Sequence, residues 1–375
     1  MRIAINTRFL LQSKMEGFGW FTYETVKRIV EKHPDDEFIF FFDRPFDEKF
    51  IFAKNVKGVV LSPQARHPIL FKIWFNYSIS RALKKHKADI FFSPDGYLSL
   101  RTKCPQIGVI HDLNFEHHPE DLPKIALNYL KTYFPKFAKK AEHIITVSNY
   151  SKQDICRTYQ IPAKKITVAH NGASELFTPI HEDEKIKIRG TYSDNADFFV
   201  FVGALHARKN IERLFKAFDQ FKIKSKSKTK LLIVGEKLWK DINIEKSFNN
   251  LKYKSDIIFT GHLPLKDLTK VVAAAKALTF PSYFEGFGIP IIEAMRANCP
   301  VICGNLTSLP EVAGGAALLI DPYSHDSISD ALNKIDSDSQ LRQELIFRGS
   351  ERAKDFSWDK TASIIWSVLN DYRKK

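Results

Sequence analysis

A chain of 375 residues is too long for one ordinary hydrophobic core, so two domains are expected. With 44% hydrophobic and 27% charged residues, its composition excludes the disordered class, and no apolar run reaches membrane-spanning length. The net charge of +14 points to a phosphorylated substrate or an anionic membrane, because no nucleic-acid-binding motif accompanies it.

Residues 2–6 read as a strand that begins at once, so no signal peptide is expected. A loop containing Glu16-Gly17-Phe18-Gly19-Trp20 follows, then a helix from Phe21 to Lys32. Strand, glycine loop and helix open a nucleotide-binding-type α/β unit, although the glycines fall short of a full dinucleotide fingerprint. Phe38–Phe42 and residues 58–62 are the next strands. Residues 66–87 read as a helix rich in Lys, Arg and aromatic side chains. It suits either an anionic membrane surface or a core helix with a solvated basic face. Residues 88–94 and 106–110 are further strands, and the second delivers His111-Asp112 at its carboxyl end. Ligands of open α/β sheets bind beyond the carboxyl ends of strands, which makes His111 a site candidate. A helix over 123–140, a strand over 144–147, a helix capped at Ser148 or Asn149 and a strand over 165–169 complete this half. Residues 178–196 are polar and without periodicity, as a linker would be.

The second half opens with the all-apolar run Phe198–Val202, typical of a buried parallel strand. Arg208 and Lys209 stand just before the next helix, where a positive pair can grip a diphosphate. Two solvated loop cations are the alternative. Strands over 230–234 and 257–260 end in the turns Gly235-Glu236 and Gly261-His262-Leu263-Pro264. A helix over 265–275 and a strand over 277–280 lead into Glu285-Gly286-Phe287-Gly288-Ile289-Pro290, a glycine-rich turn running into a helix that ends before Pro300. Such a turn exposes unpaired N–H groups to an anion or a hydroxyl-rich ligand. Glu285 and Glu293 flank it, and carboxylates accept readily from neighbouring sugar hydroxyls. The four cysteines form no C-x-x-C pair, which argues for a reducing compartment and against a structural metal site.

The run from Pro281 to Pro322, PSYFEGFGIPIIEAM followed by CPVICGNLTSLPEVAGGAALLIDP, resembles the Glu-x7-Glu region of the retaining glycosyltransferases of family 4. VIHDLNFEHHPE, VSNYSKQDI and the segments at 170–172 and 177–179 resemble further parts of that family. The resemblance implies GT-B architecture: two Rossmann-like, doubly wound α/β domains facing a central cleft. The expected bounds are 1–177 for the acceptor-binding domain, 178–196 for the linker and 197–356 for the donor-binding domain. A C-terminal helix over 357–375 is expected to cross back to the first domain.

It also implies roles. Gly17 and Gly19 border the donor phosphate and acceptor, and His111 contacts the donor sugar. Arg208 and Lys209 neutralise the leaving diphosphate. Leu263 lies against the nucleobase, Gly286, Phe287 and Gly288 line the sugar and phosphate, Glu285 orients the sugar and Glu293 holds the ribose. Many relatives carry arginine directly after the glycine of the first donor-domain turn, where this chain has Ala204. The implied donor is a GDP- or UDP-sugar, with no tightly bound cofactor and no metal. The HARKN and VIHDL contexts resemble those of family mannosyltransferases. The acceptor would be a glycan or lipid-linked hydroxyl in surface polysaccharide or glycolipid assembly, in the cytoplasm or at the inner membrane face. A GT-B epimerase or phosphorylase, a non-catalytic sugar-nucleotide-binding protein, and a membrane-surface scaffold are the rival classes.

Overall fold

The computed structural model describes the chain apart from Ser13, Lys14, Glu16, residues 236–241, Lys374 and Lys375. Glu16 and Glu236, named above, therefore lie outside the described residues. Two compact units divide the chain: Met1–Gly172 with Ser357–Lys375, and Ala173–Phe356.

Among the described residues, seven strands form the first unit's sheet. They are β1 (Arg2–Asn6), β2 (Glu37–Phe42), β3 (Val56–Val60), β4 (Ile90–Ser93), β5 (Gln106–Val109), β6 (His143–Thr146) and β7 (Ile166–Val168). Every neighbouring pair is parallel, in the order β3-β2-β1-β4-β5-β6-β7. The strands are short apolar runs because both faces are covered by helices. Phe38, Phe40, Phe41, Phe42, Phe91 and Phe92 are all buried. The order reverses between β1 and β4, the kind of switch point at which such sheets bind ligands.

The helix α1 begins at Gly17 and runs to Lys32, four residues earlier than its sequence predicts. Gly17 and Gly19 thus belong to its first turn and not to a loop. A Cβ on Gly19 would lie 2.7 Å from the Phe9 carbonyl oxygen, so its glycine permits close packing on the chain leaving β1. The basic stretch forms a helix over Pro68–Ile73 and another over Ser80–Lys85, joined by a π-helical turn over Trp74–Ile79. That turn buries Trp74, Phe75, Asn76 and Ile79 together. The C-terminal helix Trp358–Asn370 packs on α1 within the first unit. His33 stacks on Trp366 at 3.6 Å, Phe21 meets Trp358, and Asp359 accepts from Lys32 and Arg28.

The second unit holds six described strands: β8 (Phe198–Val202), β9 (Lys230–Val234), β10 (Ile257–Gly261), β11 (Ala277–Phe280), β12 (Val301–Gly304) and β13 (Leu318–Ile320). They are parallel, in the order β10-β9-β8-β11-β12-β13. This sheet also reverses order, between β8 and β11. The stretch expected to be a linker is instead largely a helix, Glu182–Tyr192, with Glu182, Asp183 and Glu184 in its first turn. Those acids complement the positive end of the helix dipole, and Glu184 pairs with Lys270 at 2.5 Å. The segment is therefore part of the second unit.

Candidate functional site

In the second unit the predicted residues converge at the carboxyl ends of β8 and β11. The chain leaves β8 through Gly203, turns once over Ala207–Lys209, and enters the helix Ile211–Ser225 at Asn210. Asn210 is left-handed, with φ of 60°, and its side-chain amide donates to the carbonyls of Pro281 and Pro322. This clamp ties the Arg208-Lys209 turn to the segment after β11.

Both cations meet the same carboxylate. Arg208 lies 2.5 Å from one oxygen of Glu285 and Lys209 lies 2.7 Å from the other, and the Glu285 side chain is 7% exposed. Burial alone would raise the Glu285 pKa. The Arg208 and Lys209 charges, with their hydrogen bonds, outweigh it and hold the pKa at about 2. Arg208 also donates to the Phe284 carbonyl, and the Lys209 ammonium sits 4.4 Å from the Phe280 ring. The cations and Glu285 therefore form one neutralising cluster in the ligand-free chain.

The turn after Glu285 is fastened by Thr307 and Ser308, from the segment LTSLPE of the family-like run. Ser308 donates to the carbonyls of Glu285 and Phe287, and the Glu285 amide donates to Thr307. Gly286 and Phe287 are buried, and Phe287 packs edge-on against Phe356. Gly288 has φ of 103°, and a Cβ there would come within 2.9 Å of Leu309, so the position demands glycine. It opens the helix Ile289–Arg296 with Pro290 in the first turn. The amino end of a helix favours anions through its dipole.

Glu293, on this helix, is perturbed in the opposite sense. Burial raises its pKa to about 7, and among the described residues its carboxylate has no hydrogen-bond or ion-pair partner. Leu263 is partly buried in the turn between β10 and the helix Leu265–Ala274, where Gly261 has φ of 71°.

In the first unit His111 follows β5. Its Nε2 lies 2.8 Å from the Pro94 carbonyl, and the rings of Phe18 and Phe21 meet it edge-on, each at 4.8 Å. Burial lowers its pKa by more than the Pro94 carbonyl, Asp112 and Asp95 raise it, so the ring is neutral near pH 7. Gly17 and Gly19 reach the same neighbourhood through Phe18, which lies between them on α1. Asp112 accepts from the Asn114 amide, fixing the loop after His111. Below this loop lies a buried polar cluster of Asn6, Arg8, Ser93 and Asp95, which no local motif announced. Among the described residues, no three His, Cys, Asp or Glu side chains are grouped to hold a metal ion.

Two family models match, each on one half of the chain. "Glycosyltransferase Family 4" covers residues 17–175 and "Glycosyl transferases group 1" covers residues 182–352. The chain is 28% identical over 370 residues to the O-antigen chain mannosyltransferase B of Escherichia coli, covering 96% of each chain. It is 27% identical over 272 residues to the serotype-specific mannosyltransferase WbdA of Escherichia coli, which covers 70% of this chain and 32% of that protein. The chain thus spans nearly all of the first relative and matches about a third of the second. Among solved structures, HepE from Anabaena, in complex with UDP and glucose, superposes with a TM-score of 0.76. That match has 16% identity and covers 99% of this chain and 100% of the other.

Proposed function

The chain belongs to the group 1, family 4 glycosyltransferases of GT-B fold, and from that premise we propose the finer reading. It moves a hexose, best matched by mannose, from a nucleotide-diphosphate sugar to an acceptor hydroxyl, with retention at the anomeric carbon and without a metal. The preference for mannose is supported by the mannosyltransferases among its relatives. The acceptor is a glycan or lipid-linked sugar of bacterial surface polysaccharide or glycolipid assembly.

The observation that carries this reading is the pairing of two cations and one ionised carboxylate beside the amino end of the Ile289–Arg296 helix. The leaving diphosphate gains negative charge as the glycosidic bond breaks. Arg208, Lys209 and the amides from Gly286 to Gly288 supply fixed positive charge where that develops. Glu285, shared between two cations and with a pKa of about 2, is a poor base and a poor nucleophile. A double displacement through Glu285 is therefore disfavoured. The leaving phosphate oxygen instead receives the acceptor proton on the face from which the acceptor attacks. Glu293, whose carboxylate has no partner among the described residues, accepts from the ribose hydroxyls. Leu263 lies against the base, and His111 with the Gly17–Gly19 turn serves the sugar and acceptor.

A thermal-shift panel of UDP, GDP, ADP and their sugars, run without metal, tests the reading. One nucleotide is expected to raise the melting temperature of the wild type and to do so far less for Lys209→Ala. A wild type that responds to none of them, with or without Mg²⁺, would sink it.

A peripheral membrane role for the basic helical stretch is favoured by a separate observation. Residues 49–88 contain nine Lys and Arg and no Asp or Glu. On their surface Ile69, Ile73 and Tyr77 form an exposed apolar row, and Arg101 stacks on Tyr77 at 4.2 Å. Arg66, Lys72, Arg81, Lys84 and Lys85 are exposed beside it. Apolar side chains flanked by cations suit an anionic bilayer surface. Sedimentation with phosphatidylglycerol vesicles, lost in Ile73→Glu and at high salt, is the expected result. Equal binding to neutral vesicles would count against it.

A further inference from the structure

At the switch point of the first sheet, the carboxyl ends of β1 and β4 carry a buried ionic network that no step above uses. Asp95 accepts four hydrogen bonds: from Arg8 Nε at 2.7 Å, Asn6 Nδ2 at 2.9 Å, Ser93 Oγ at 2.9 Å and the Tyr97 amide at 3.2 Å. Asn6 also donates to Ser93 at 3.0 Å. The Arg8 and Asp95 side chains are 4% and 2% exposed. Four rings surround the guanidinium, Phe9 and Tyr97 at 4.5 Å, Phe71 at 5.0 Å and Phe75 at 5.4 Å.

Burying such a pair costs desolvation energy that an apolar pair of the same volume would not, so stability is a weak reason for it. Its geometric effect is specific. Asp95 gathers the ends of both strands and the amide of Tyr97, which fixes the turn over 93–97. Gly96, at φ of 80°, lets that turn lie against the Val109 carbonyl, where a Cβ would stand 2.8 Å away. The turn holds the Pro94 carbonyl 2.8 Å from His111 Nε2. A carbonyl can only accept, so the proton resides on Nε2. Nδ1 then keeps its lone pair and has no hydrogen-bond partner among the described residues. Phe18 and Phe21 fix the ring plane from its sides.

We propose that Asn6, Arg8, Ser93 and Asp95 are positioning residues which, through the Pro94 carbonyl, lock His111 in its Nε2–H tautomer and leave Nδ1 as an acceptor for a hydroxyl or N–H of the substrate sugar. The sugar half of this statement rests on the transferase reading, whereas the tautomer half stands without it. The device would select sugars that present a donor at that point. A deoxy sugar would leave the lone pair unmatched in a largely buried place.

The test is a long-range ¹H–¹⁵N correlation spectrum of ¹⁵N-histidine-labelled protein at pH 7.5, with His111 assigned from its loss in His111→Asn. The wild type is expected to show a protonated Nε2 and an unprotonated Nδ1 at His111. Asp95→Asn keeps the shape and removes the charge. It is expected to shift these signals towards a mixture of tautomers and to lower kcat about 10-fold, while nucleotide affinity is unchanged. A purely structural network would lower the melting temperature and leave the imidazole signals in place. If Asp95→Asn fails to fold, Ser93→Ala removes one bond to Asp95 and should move the signals less, in the same direction. An Nδ1–H tautomer in the wild type, or unchanged signals in a folded variant, overturns the proposal. If the tautomer is as expected but no nucleotide binds the wild type, the transferase reading falls and the sugar half with it.

Discussion

Replacing Glu293 with glutamine separates ligand binding from stability in a way that can be computed from its surroundings. Its pKa is raised from 4.5 to about 7 by burial alone, so the ionised form is disfavoured in the folded chain. A folded-state pKa above the unfolded value means that the contribution is fully present below pH 4.5. It is lost as the pH rises through 7. That displacement corresponds to at most about 3 kcal/mol, at roughly 1.36 kcal/mol per pH unit. The side chain is only half-buried, so water reduces the figure to about 1–2 kcal/mol. Glu293→Gln removes the charge and keeps the shape. At pH 8.5 the variant should be more stable than the wild type by that amount, or roughly 4 °C in the second unit's melting temperature. At pH 4.5 the difference should nearly vanish. Under the proposed ribose contact nucleotide affinity should fall, because glutamine offers one acceptor oxygen where the carboxylate offers two. Thermal unfolding at the two pH values, with and without the nucleotide, reads both effects. A variant that is less stable than the wild type at pH 8.5, or a gain that does not change with pH, would refute the electrostatic argument.

Glu285→Gln should behave in the opposite way. Arg208 and Lys209 lose their anion, and the ligand-free protein should be destabilised by about 3 kcal/mol at pH 7. Because the folded pKa of Glu285 is depressed, its contribution is present above pH 4.5 and disappears as the pH falls through about 2. A nucleoside diphosphate should rescue this variant, raising its melting temperature by more than it raises that of the wild type. An equal or smaller rise would show that the diphosphate does not meet these cations. On α1 two neighbouring glycines should part company. Gly19→Ala meets the Phe9 carbonyl at 2.7 Å and should cost about 1–3 kcal/mol. Gly17→Ala, with nothing described within 4 Å, should stabilise the helix by about 0.5–1 kcal/mol. Urea unfolding checks both, and the reverse order would contradict the packing argument.

Strand positions were legible because a parallel sheet covered on both faces demands unbroken apolar runs, as in Phe38–Phe42 and Phe198–Val202. The Glu285–Glu293 turn was legible because its glycines and proline are local requirements of one backbone path. Where the reading failed, tertiary contacts had overruled local preference. Two glycines in three residues argue against a helix, yet α1 starts there, and the close approach to Phe9 explains the glycine at 19. The segment 182–192 has no apolar face, but three acids at its start were a helix signal that the missing periodicity masked. The Arg8–Asp95 and Ser308–Glu285 links join residues 87 and 23 positions apart, and such pairings leave no trace in local spacing.

The two glutamates of the signature turn look alike in sequence and are made unlike by their surroundings. Both are on the same short segment, Glu285 buried and Glu293 half-buried. For Glu285 two cations overcompensate the cost of burial, so the carboxylate stays ionised well below neutral pH. For Glu293 nothing described compensates it, so the group hovers between charged and neutral near pH 7. A carboxylate of the first kind already has a cation against each oxygen. In the proposed reaction it holds Arg208 and Lys209 in place and surrenders part of that pairing to an arriving diphosphate. A carboxylate of the second kind is destabilising until something donates to it, and hydroxyl donors would pull its pKa back down as they bind. The opposite shifts therefore divide the labour that spacing alone left undivided. In the proposed reaction Glu285 sets the charge for the phosphates, and Glu293 gains its stabilisation from the ligand.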